Sequence, residues 1–68
     1  MREMIKAEMM VNYLQQMMDD FKEDERRYGR DEHTMDKLND MIACKEMVEA
    51  LIGYPVNLQK DGKVTLGF

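Results

Sequence analysis

Sixty-eight residues carrying a net charge of −4 make one small domain, and a chain this short buries only about 60% of the surface its unfolded form exposes. Scaffolds of this size are usually completed by disulfides, a structural metal or an oligomeric partner. Cys44 is the only cysteine and His33 the only histidine, which excludes an internal disulfide and a Cys/His metal cluster and leaves oligomerisation.

The first helix is expected over about residues 3–28. Ala7, Met10, Leu14, Met17, Phe21 and Tyr28 recur at alternating steps of three and four, interrupted only by Asp24, and Val11 and Met18 widen the stripe. No Gly or Pro breaks the run, and Glu, Lys, Gln, Met and Leu favour helix. Arg26 and Arg27 complement the helix dipole at its C-terminal end, and Gly29 can take the left-handed conformation that closes it. Asp24, the polar residue in the stripe, either faces water or pairs with Arg30 or Lys37.

A second helix is expected over about residues 32–52, with Asp31 as N-cap and Thr34 as the alternative cap. Met41, Cys44, Val48 and Leu51 form its seam, flanked by Leu38, Ile42, Met47 and Ile52. An arc this wide needs more than one neighbour. Gly53 and Pro55 end the helix. The short turn over Gly29–Asp31 makes the helices antiparallel neighbours. The first five or six residues then overhang, and Met1, Met4 and Ile5 there need a partner.

Tyr54 to Phe68 reads as a β-hairpin, because Val56, Leu58, Val64 and Leu66 alternate with Asn57, Gln59, Lys63 and Thr65. A two-residue Asp61-Gly62 loop would scatter the apolar residues over both faces. A three-residue loop, Lys60-Asp61-Gly62, pairs Leu58 with Val64 and Val56 with Leu66 and makes one face wholly apolar, extended by Tyr54 and Phe68. A lone two-stranded hairpin is marginal in water, so this face should rest on the helices, near Met4, Ile5 and neighbouring methionines. Its strand edges are expected to stay open to a second copy or a partner strand. The fold class is α+β: an antiparallel two-helix hairpin followed by a C-terminal β-hairpin, assembled as a homodimer.

The charge is unevenly placed: −4 over residues 1–25 (seven acids, three bases), +3 over 26–30 (three arginines), −4 over 31–53 (six acids, two bases) and +1 over 54–68 (two bases, one acid). Acidic helices argue against a duplex-DNA footprint. No run nears the roughly 20 apolar residues of a membrane span. The N-terminus, Met1-Arg2-Glu3-Met4-Ile5-Lys6, puts charges where a signal peptide needs an apolar run, and a lone cysteine suits a reducing compartment, so a cytoplasmic location is expected. Nine methionines suit irregular core packing and adaptable binding surfaces.

Three sets of residues could carry chemistry. Arg26, Arg27, Tyr28 and Arg30, with His33 nearby, could hold a nucleotide or other anion, although cations at a helix C-terminus also serve the dipole alone. Asp20-x-x-Glu23 and Glu46-x-x-Glu49 each put two carboxylates on one helical face, as helical metal-dependent nucleotide hydrolases do, but such pairs arise by chance in so acidic a chain. Cys44 and His33 lie about 16 Å apart along one helix, too far for a dyad. No cofactor is expected. The reading that follows is a non-enzymatic interaction protein, of the small acidic kind that phages and mobile elements encode. It self-associates through Met4, Ile5, Met10, Leu14, Met17, Phe21, Met47 and Leu51, and it binds or inhibits a protein partner.

Overall fold

The computed structural model describes residues 2–67, with side-chain detail from Lys6 to Gly67. The positions of the Met4, Ile5 and Phe68 side chains therefore lie outside the described residues. Helix α1 spans Arg2–Tyr28 and helix α2 Glu32–Ile52, followed by strands β1, Val56–Leu58, and β2, Val64–Leu66. The α+β class and both helix boundaries agree with the sequence pattern to within a residue. Among the described residues, no helix is long and apolar enough to cross a membrane.

Both helices end as their local chemistry dictates. Gly29 and Gly53 take φ values of 72° and 79°, and each donates its N–H to the carbonyl four residues back. Asp31 is the N-cap of α2, its carboxylate accepting the Thr34 N–H at 2.8 Å. Thr34 is no alternative cap: it is fully buried. Its hydroxyl finds no well-angled partner, although its closeness to Asp31 adds to the effect of the Thr34 N–H in holding the Asp31 carboxyl below its ordinary value.

The strands pair antiparallel with Val56 opposite Leu66, Asn57 opposite Thr65 and Leu58 opposite Val64. This is the register that puts the apolar residues on one face. Gln59 and Lys63 close the three-residue loop, with the Gln59 N–H donating to Lys63 at 2.9 Å and the Gly62 N–H to Gln59 at 3.0 Å. Gly62 has a φ of 95°, as a hairpin of this length requires.

The core forms where the hairpin lies on the helix pair. Leu14, Met18 and Phe21 from α1 meet Met41 and Val48 from α2 and the strand residues Val56 and Val64. The tip of the hairpin reaches the middle of α1. Gln15 binds it twice, donating to the Gly62 carbonyl and accepting the Val64 N–H, both at 2.8 Å. Lys22 donates to the Lys60 carbonyl at 3.2 Å.

The other edge of the hairpin is held by α2, where the Glu49 carboxylate accepts the Val56 N–H at 2.8 Å. Val56 and Val64 sit at non-hydrogen-bonded positions of the ladder, so their N–H groups point outward. The expectation of two open strand edges is therefore corrected at these positions, where helix side chains already fill them. Tyr54 also departs from expectation: it is exposed rather than part of the apolar face.

Candidate functional site

The hairpin covers one broad face of the α1–α2 pair. The opposite face carries an open groove of about 330 Å³, lined by Lys6, Met9, Met10, Tyr13 and Val48. Helical periodicity explains why the two faces differ. Leu14 points at α2. Val11, Gln15, Met18 and Lys22 follow one another along the hairpin side, and Met10, Tyr13 and Met17 run along the other. On α2, Cys44, Met47 and Leu51 belong to this second side, while Glu49 and Ile52 turn toward the hairpin.

Exposure separates the residues that the sequence pattern treated alike. Met9 is 66% exposed, Tyr13 59%, Met47 64% and Leu51 63%, although the last two sit on or beside the apolar seam of α2. Met10 and Met17 are half-buried. Leu14 and Phe21, expected to serve self-association, are enclosed within the chain's own core.

The groove runs out at an acidic end. Asp20, Lys37 and Asp40, with Met17, line a second, smaller hollow there. Lys37 lies 2.8 Å from Asp20 and 2.6 Å from Asp24, and these two carboxylates, Asp20 first, raise its pKa above the ordinary lysine value. Asp24 is 9% exposed. It pairs with Lys37, one of the two partners the sequence suggested, and with the His33 imidazole at 3.3 Å. Its buried oxygen has no well-angled hydrogen bond, so the close Lys37 ammonium is what offsets its desolvation.

One turn beyond Asp24 the stripe loses its cover. Tyr28 is 60% exposed rather than seated in the seam, because Asp24 already faces the first turn of α2. The arginines around it are engaged with acids. Arg26 and Arg27 both meet Glu23, at 3.0 and 2.9 Å, and Arg30 meets Glu25 at 2.9 Å. These surface pairs are individually weak. Each guanidinium thus has a carboxylate of α1 as its neighbour.

The paired carboxylates are divided among other tasks. Asp20 faces Lys37 while Glu23 takes the two arginines. Glu49 accepts the Val56 N–H and pairs with Lys45, which together hold its carboxyl below the ordinary value, the N–H being the larger cause. Among the described residues, no three His, Cys, Asp or Glu side chains gather as a metal site would need.

Of the two polar residues that fix the hairpin, Gln15 is absent from the sequence expectations and Glu49 figures there only as half of the Glu46-x-x-Glu49 pair. The available signal was positional. Gln15 continues the Val11–Met18 flank of the stripe, where an amide borders apolar neighbours. Comparison with known proteins gives no match to any family model, curated protein or solved structure, so the site rests on geometry alone.

Proposed function

We propose that this chain is a non-enzymatic interaction protein that self-associates through the open face of its helix pair and, so assembled, binds a protein partner. The observation that carries the reading is an apolar groove on which Met9 and Tyr13 stand exposed, with Met47 and Leu51 exposed on the same side of α2. Exposed apolar surface that is contiguous marks interaction sites. Methionine and tyrosine suit such a surface, the first by its adaptability and the second by its amphipathic ring. An oligomer holding a nucleotide at Arg26, Arg27 and Arg30 has less behind it, because those guanidiniums already face carboxylates.

Sedimentation or light scattering across a concentration series tests the proposal. The wild-type protein should pass from monomer to dimer in the micromolar range. A Met47→Asp, Leu51→Asp variant should stay monomeric with an unchanged circular dichroism spectrum, because both residues are exposed in the single chain. A wild-type protein that remains monomeric at all concentrations overturns the reading.

A further inference from the structure

The open face is not uniform from end to end. Lys6 lines one end of the groove, and among the described residues it is the only charged group there. At the other end stand Asp20, Asp24 and Asp40 against the single ammonium of Lys37. Between them the surface is apolar, with Tyr13 midway between Lys6 and Asp20. One end is thus cationic and the other anionic, about 21 Å apart along α1 at ~1.5 Å per residue.

We infer that the occupant of this face is a second copy of the chain turned end for end. A two-fold axis crossing the helices at the level of Tyr13 lays α1 of one copy antiparallel on α1 of the other. Lys6 of each copy then lies over Asp20 and Asp40 of its mate, and the methionines of the two grooves interdigitate around paired Tyr13 rings. A two-fold axis running along the helices would cover the same apolar surface. It would also set the acidic end of one copy on the acidic end of the other, with Asp20 opposite Asp40, and leave both lysines without a carboxylate. Like charges placed together at an interface oppose association, so the charge pattern selects the inverted arrangement. The resulting interface is isologous, as closed dimers require.

This inference rests on the self-association proposed above, and the two can fail separately. A zero-length carbodiimide joins an amine to a carboxylate that it touches. Lys6 and Asp20 of one chain are too far apart on a single helix to be joined, so a Lys6–Asp20 isopeptide can only be intermolecular. Treating the wild-type dimer and mapping the cross-linked band by mass spectrometry should recover that peptide. Lys6→Glu should weaken dimerisation about tenfold without changing the helical spectrum. A dimer that forms fully yet gives no Lys6–Asp20 link, or whose strength is indifferent to Lys6→Glu, overturns the inverted arrangement and leaves self-association standing. A protein that never dimerises overturns both.

Discussion

The two broad faces of the α1–α2 pair are both lined with apolar side chains, but only one is closed. On the hairpin side, Met18 packs in one core with Val56 and Val64, Val48 standing at the seam between the two faces, and the contact is sealed at its borders by Gln15 and Glu49. On the other side, Met9, Tyr13, Met47 and Leu51 stand in solvent. Apolar content alone therefore does not say which surface becomes core. The closed face has polar side chains placed to satisfy the backbone of its cover, and the open face has charges at its ends instead. Burial of unpaired backbone groups is costly, so a covering strand stays where its outward N–H groups find acceptors.

The comparison can be broken most severely from the closed side. Leu14 is fully enclosed, and Leu14→Ala should lose about 2–5 kcal/mol in urea or thermal unfolding, enough to unfold much of a protein this small. Gln15→Ala removes two hydrogen bonds to the hairpin and should lose about 1–3 kcal/mol. The helices should persist by circular dichroism while amide exchange accelerates at Val64.

Acid should loosen the other seal. Glu49 and Asp31 both titrate below their ordinary values when folded, so their stabilisation is complete above those values, 4.5 and 3.8, and is lost as pH falls through the depressed folded ones. Glu49→Gln should flatten the acid limb of the stability profile, measured by thermal melts between pH 2 and pH 7. Lys37 behaves in the opposite sense. Its raised pKa means that the stabilisation from Asp20 and Asp24 is complete below 10.5 and fades as pH rises through the folded value.

The smallest effects on the single chain should come from the open face. Leu51→Ser should change the unfolding free energy of the monomer by no more than ~0.5 kcal/mol. Measured in dilute solution beside Leu14→Ala, it gives the sharpest contrast between two leucines that the sequence pattern treats as equivalent.

Much of the architecture was legible because it depends on local rules. The N-cap at Asp31, the glycine stops at Gly29 and Gly53, and the three-residue loop all follow from residue chemistry over a few positions. The hairpin register followed from demanding one apolar face. What remained hidden depends on which neighbour a residue meets. Thr34 enters the core because it stands on the α1 side of α2, a placement its polarity conceals. Leu51 stands in solvent on the open side of α2, and Tyr28 is exposed one turn beyond the point where Asp24 takes the contact with α2. Gln15 and Glu49 could not be assigned to strands whose position on the helices was unknown.

The clasp made by Gln15 also bears on the order of folding. Each of the two hairpins, helical and β, closes over a short turn and can form from neighbouring segments. Gln15, by contrast, bonds to residues 47 and 49 positions away. Contacts that close long loops form only after much chain entropy has been lost, so this one belongs on the native side of the folding barrier. In stopped-flow chevrons, Gln15→Ala should leave the refolding limb almost unchanged and raise the unfolding rate by nearly the whole of its destabilisation. A single amide would then set how long the folded protein lasts, rather than how fast it forms.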